Sequence, residues 1–148
     1  MESLKLIVDY GIIGFLLLMS IIAVGIAIER YFFIRKFDLK SFLEENKTAG
    51  ELEVLLTKRM YVISSVGVNA PYIGLLGTVI GIMLTFYDIS HGSMNIKSVM
   101  IGLSLALKAT AIGILVAIPC VFLNNLLLRK AREKIEIFKS LEREKYGC

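Results

Sequence analysis

The chain alternates long apolar stretches with short charged ones. Residues 10–28 contain no charge, residues 60–87 contain none, and residues 98–128 contain only Lys108. A helix needs about 20 apolar residues to cross the hydrocarbon core of a bilayer. All three stretches reach about that length, and the second and third exceed it. Burying three such helices inside a soluble fold would leave too little polar surface for a chain this short. The pattern therefore predicts an all-α protein: one three-span transmembrane domain over residues 1–148, with spans two and three long enough to extend into the cytoplasm. The spans are placed at about 10–30, 66–87 and 98–125, with an outer loop at about 88–97.

The segments between and after the spans also carry a pattern. At 37–60, Leu39, Phe42 and Leu43 share one helical face and Leu52, Leu55 and Leu56 another, with residues 46–50 as the turn between them. This predicts a small cytoplasmic helical segment, too short for a catalytic domain. In the tail at about 126–145, Ala131, Ile135, Phe138 and Leu141 recur every three to four residues, and Arg129–Glu133 and Arg132–Glu136 stand four apart, as paired charges do on a helix. Two readings of the tail stand side by side: a continuation of span three as one long helix, or a solvated helix facing anionic phospholipid headgroups.

Composition sharpens the membrane reading. The chain is 56% hydrophobic with a mean hydropathy of +0.72, where soluble domains run nearer 45–50% apolar, roughly. The net charge of +4 is a topology signal, because 14 of the 17 basic residues lie between spans one and two or after span three. Only Lys5 and Lys97 fall on the other side. The positive-inside rule puts the N-terminus outside and the C-terminus in the cytoplasm. The start carries Glu2, Lys5 and Asp9 instead of a basic cluster, and no small-residue cleavage site follows, so span one reads as a retained anchor ending at Glu29-Arg30. Nothing resembles a nucleic-acid-binding fold. Cys120 and Cys148 fit no metal or redox spacing, and the reducing cytoplasmic side disfavours a disulfide. His91 stands alone in the outer loop and reads as solvated. No nucleophile–base pair, metal cluster or phosphate loop appears, so neither an enzyme nor a cofactor is expected.

Chemistry is concentrated inside the membrane. In span two Gly67, Ala70, Gly74, Gly77 and Gly81 recur at intervals of 3, 4, 3 and 4, and in span three Ala106, Thr110, Gly113 and Ala117 recur at 4, 3 and 4. Lipid supplies no hydrophobic drive for helices to associate, so small residues that let backbones approach supply the packing. Such stripes fit packing of spans two and three against each other, against further copies, or against a partner helix. Thr78 adjoins the first stripe, Thr110 is on the second, and Thr85 lies nearer the outer end. A membrane threonine either bonds its own backbone or lines a hydrated path. Lys108 lies about ten residues, roughly 15 Å, into span three. Its insertion costs roughly 2.5–3.5 kcal/mol, which the surrounding Leu, Ile and Val offset. With Glu29 and Asp88 at span ends, its counter-charge is expected to be water, backbone carbonyls or, as the favoured expectation, an acid on another chain.

These residues carry a resemblance. The run Ala70-Pro71-Tyr72-Ile73-Gly74-Leu75-Leu76-Gly77-Thr78-Val79-Ile80-Gly81 through Phe86, the run Leu105-Ala106-Leu107-Lys108-Ala109-Thr110-Ala111-Ile112-Gly113 through Val116-Ala117-Ile118-Pro119, and Glu29-Arg30 together resemble the ExbB/TolQ/MotA family of proton-driven motor subunits, its ExbB branch above all. They cover about half the chain. The resemblance implies a homo-oligomeric ring, typically a pentamer, in the bacterial inner membrane. The ring would enclose single-span helices of an ExbD-like partner that moves protons on a membrane aspartate. Energy would pass to TonB, which drives import of iron chelates, vitamin B12 and similar cargo. It also implies a pore-lining role for Thr78 and Thr110.

Three departures are visible. Many members carry a glutamate where this chain has Leu105, with Lys108 one turn further on. The cytoplasmic segment is short, and no long N-terminal extension precedes span one. Lys108 and Thr110 also stand about 160° apart around an ideal helix, so both cannot face one pore axis. A TolQ-like or MotA-like motor for envelope integrity or motility is the alternative within the class, and a structural membrane scaffold the alternative outside it. A solute transporter is disfavoured, because no internal repeat or broken helix pair appears.

Overall fold

The structure is a computed structural model that describes residues 2–92 and 95–147. Ser93 and Met94 of the expected outer loop, and Cys148, lie outside the described residues. Among the described residues there is no strand. Helix α1 spans Glu2–Lys36, α2 Leu39–Glu44, α3 Ala49–Thr57, α4 Met60–Ser90 and α5 Ile96–Tyr146. Three of them, α1, α4 and α5, are long and apolar enough to cross a membrane.

Local chemistry sets the boundaries of the short helices. Asp38 caps α2, its side chain accepting from the Lys40 N–H at 3.0 Å and the Ser41 hydroxyl at 2.8 Å. Those bonds, the Ser41 hydroxyl first, hold the Asp38 carboxyl below the usual aspartate value. Thr48 and Glu51 form a reciprocal capping box, so α3 begins at Ala49, inside the stretch read from sequence as a turn. Asn46, between α2 and α3, and Arg59, between α3 and α4, both take positive φ where the chain turns. Asn95 caps α5, its side chain accepting from the Lys97 N–H, and Gly147 closes the helix with φ +70°. Pro71 and Pro119 sit within α4 and α5, whose helical hydrogen bonding resumes past each of them.

Side-chain pairings define the topology. Lys108 approaches Asp9, Lys130 stacks on Tyr31, and the Lys134 ammonium donates to the Phe37 carbonyl at 2.8 Å, a steady offset of 97 to 99 residues. Helices α1 and α5 therefore run parallel. Gly81 meets Ala106, Gly74 meets Ala109, and Gly67 meets Val121, so α4 runs antiparallel to α5. The hairpin of α2 and α3 folds back at the basic end. There Phe33, Phe37, Phe42 and Phe138 form a chain of rings, each 5.6 Å from the next. Phe138, Leu52 and Leu56 are fully buried. Helix α5 is one continuous helix of 51 residues. Its last turn is tied to the hairpin by Lys145, which donates to the Leu43 carbonyl at 3.1 Å, and by the Tyr146 hydroxyl, which donates to Asn46 Oδ1 at 2.9 Å. In the tail, Arg129 pairs with Glu133 at 3.3 Å as spaced, while Glu136 takes Lys139 at 3.2 Å.

Candidate functional site

The seam between α4 and α5 is built from residues without bulk. A Cβ on Gly67 would lie 2.9 Å from Val121 Cγ2, one on Gly74 2.7 Å from the Ala109 carbonyl oxygen, and one on Gly113 2.6 Å from the Ala70 carbonyl oxygen. On Gly81 it would meet Ala106 Cβ at 2.7 Å, and on Gly77 it would meet Ala109 Cβ at 2.8 Å and Ile12 Cδ1 at 3.1 Å. Ala70, Ala106 and Ala117 are buried in the same interface region. Both stripes thus meet within one chain, with Gly77 also touching α1. Gly102, whose added Cβ would strike Thr85, belongs to the seam as well and was missed from sequence. It stands four residues before Ala106, so the spacing already contained it.

Thr78 places a hydroxyl in this apolar seam, with 8% of its surface exposed. Its Oγ1 lies 3.0 Å from the Ala106 carbonyl across the seam, 3.4 Å from its own helix's Gly74 carbonyl, and in contact with the Thr110 hydroxyl. A hydroxyl has one proton to donate and lone pairs to accept. When Thr78 donates to Ala106, the contact with Thr110 is closed by the Thr110 proton; when Thr78 donates to Thr110 instead, its bond to the Ala106 carbonyl is given up. The two threonines are one hydroxyl pair, joined between adjacent spans. Thr85, also buried, donates to the Gly81 carbonyl of its own helix at 2.8 Å.

Lys108 faces away from that pair. Thr110 points to α4, whereas the Lys108 ammonium lies 3.8 Å from Asp9 Oδ2 and 6.0 Å from the centre of the Tyr10 ring on α1. Lys108 therefore has an acid within its own chain, contrary to the expectation from sequence. That expectation ended span one where charge began. The helix continues two turns past Tyr10 toward the N-terminus and brings Asp9 level with Lys108. The Asp9 side chain is 13% exposed and that of Lys108 48%. One turn further toward the N-terminus of α1, Lys5 and Asp88 form a second ion pair, joining α1 to α4. Beside these pairs the three long helices form a partly open cavity of about 30 Å³, lined by Lys5, Asp9, Gly77, Gly81, Leu105 and Ala106 among others. That is room for about one or two waters. Leu105, where the resemblance implies a glutamate in many members, shares this cavity with Asp9.

At the basic end, Arg30 is 6% exposed. It donates to the Leu55 carbonyl of α3 at 3.3 Å, lies 3.5 Å from Glu29 and stacks over Phe33 at 4.7 Å. Glu29 is in turn 3.2 Å from Arg59, at the start of α4. The Glu29-Arg30 pair singled out in the sequence therefore ties the C-terminal end of α1 to both α3 and α4. His91 at the C-terminal end of α4 is exposed and stacks on Tyr87, with ring centroids 4.2 Å apart.

Residues 34–140 match the family described as the MotA/TolQ/ExbB proton channel family. The chain is similar to the biopolymer transport protein ExbB of Aquifex aeolicus, 51% identical over 145 residues that cover 97% of this chain and 95% of the relative. It is 44% identical to the biopolymer transport protein ExbB of Helicobacter pylori over 144 residues, 95% of this chain and 97% of that one. With the ExbB of Salmonella typhimurium it shares 41% identity over 69 residues, 28% of that longer protein.

Proposed function

The chain belongs to the MotA/TolQ/ExbB proton channel family, and on that premise we propose that it is the ExbB-type subunit of a proton-driven motor in the bacterial inner membrane. In this reading it assembles as a homo-oligomer, a pentamer, around an ExbD-like single-span protein bearing a membrane aspartate. It passes energy to TonB for transport across the outer membrane. The N-terminus faces the periplasm and the C-terminus the cytoplasm, and the chain performs no enzymatic step of its own. The name shared by relatives that match nearly its whole length supports the ExbB-type assignment over a TolQ-like or MotA-like motor.

The observation that carries the motor reading over a scaffold is the Thr78–Thr110 hydroxyl pair. A seam that needed only close packing could be built from glycine and alanine alone, and every hydroxyl in lipid must find a partner. Two threonines bonded to each other and to a backbone carbonyl provide a chain of donors and acceptors that can pass a hydrogen bond to water or to a carboxyl group. Lys108 adds a half-exposed cation. Asp9 at 3.8 Å lies beyond hydrogen-bond distance, leaving the ammonium donors available to an acid on a partner helix.

The test replaces both threonines with valine, which keeps their shape and removes both hydroxyls together. The doubly substituted protein, co-purified with its single-span partner and reconstituted in liposomes, is expected to assemble as the native chain does and to lose proton flux. Wild-type flux from the assembled double variant would return the chain to the scaffold reading.

A further inference from the structure

Asp9 is the one acid among the described residues that stands between the charged ends of the spans and beside the cavity among the three long helices. It projects from α1, is mostly buried, and borders a space the size of about one or two waters. The charged and titratable groups around it are few. Lys5 and Tyr10 share its helix, Asp88 on α4 is engaged with Lys5, and Lys108 comes from α5. Apolar side chains are exposed on the outer side of the Asp9–Lys108 level, at Ile7, Met83, Phe86, Met100 and Ile101. The pair therefore lies within the apolar girth of the molecule, not at its rim. Its geometry is that of a loose ion pair: 3.8 Å, with no hydrogen bond between the two groups. A pair this loose in apolar surroundings is poised to exchange partners, because each group keeps unused hydrogen-bonding capacity.

We propose that Asp9 is a proton-binding carboxylate of this chain, and that its protonation releases Lys108 to a carboxylate on a neighbouring membrane helix. The step balances. One proton, arriving as hydronium through the cavity, adds to an Asp9 carboxylate oxygen, forming an O–H bond, neutralising the acid and leaving neutral water behind. The Lys108 ammonium keeps its protons and its charge, which the incoming carboxylate then neutralises. Loss of the proton from Asp9 restores the original pair. The proposal rests on the motor reading for the identity of the neighbouring helix. The protonation of Asp9 itself does not depend on that reading.

Two measurements on the full chain, co-purified with its partner, decide it. The first is the infrared difference spectrum on acidification, comparing wild type with Asp9→Asn. A carboxylic acid C=O band present in wild type and absent in the variant is expected; identical spectra would overturn the proposal, whatever the flux. The second is proton flux in liposomes. Asp9→Asn should lower it about 100-fold, the low end for a positioned proton-transfer group. The double variant Asp9→Asn/Lys108→Met separates proton binding from charge neutralisation within this chain, since it removes both members of the pair together. It should assemble normally and stay at the low flux. Recovery of wild-type flux in the double variant would mean that the pair only neutralises itself, and the proposal would fall. If the wild-type complex carried no flux at all, the motor reading would fail, and the infrared band would still decide the fate of Asp9.

Discussion

Gly113 and Gly25 look alike in sequence, each a glycine within a long apolar helix, yet they stand in opposite surroundings. A methyl group on Gly113 would press on the Ala70 carbonyl and on Gly74 Cα, both backbone atoms that cannot swing aside. One on Gly25 would meet nothing within 4 Å. Gly113→Ala is therefore expected to destabilise the protein by about 1–3 kcal/mol through overpacking. Gly25→Ala should be neutral or slightly stabilising, because alanine loses less backbone freedom on folding. Thermal unfolding of the two variants in the same detergent checks the contrast, and equal melting temperatures would contradict a close-packed seam. At Lys108 the residue alone was informative but its partner was not. The insertion cost of a lysine follows from its chemistry. That Asp9 would lie beside it depends on the 99-residue register between α1 and α5, which no local pattern encodes.

Among the elements, the three long helices were legible because apolar length is a local property that lipid imposes on each span separately. Their ends were less so. Charge ended the reading of span one at Tyr10, but helical hydrogen bonds do not stop at Lys5 or Asp9, and the helix runs on to Glu2. The start of α3 was missed for a related reason. Residues 46–50 contain turn-forming types, while the Thr48–Glu51 capping box commits the chain to helix from Ala49. Thr48→Ala should therefore lower stability by about 1 kcal/mol, the usual cost of a lost N-cap. Amide exchange in residues 49–52 should rise with it, and unchanged protection there would show that packing of Leu52 alone holds the turn. The leucine faces of α2 and α3 were readable as amphipathic. What they pack against was not, since Phe138, whose ring meets Phe42, comes from nearly a hundred residues further along the chain. The seam was legible as two stripes, and their meeting within one chain emerged only in three dimensions.

Over the whole molecule, the charge is gathered at one end. The hairpin and the last four turns or so of α5 carry most of the basic residues, while the opposite end offers Lys5, already paired with Asp88, and Lys97. Basic residues are held on the cytoplasmic face during insertion, so this distribution argues for a single orientation with the hairpin inside. The consequence can be measured with single cysteines in a background from which Cys148 has been removed; Cys120, buried between the helices, stays. Lys97→Cys, near the start of α5, should react with a membrane-impermeant thiol reagent once the outer membrane is made permeable, with the inner membrane still closed. Glu44→Cys, exposed at the end of α2, should react only after the inner membrane is opened. The reverse pattern would place the hairpin outside, and the Asp9 level would then face the cytoplasm. A proton descending its gradient would meet the inner clamp of Glu29, Arg30 and Arg59 before Asp9, and the order of events inferred at the pair would have to be inverted.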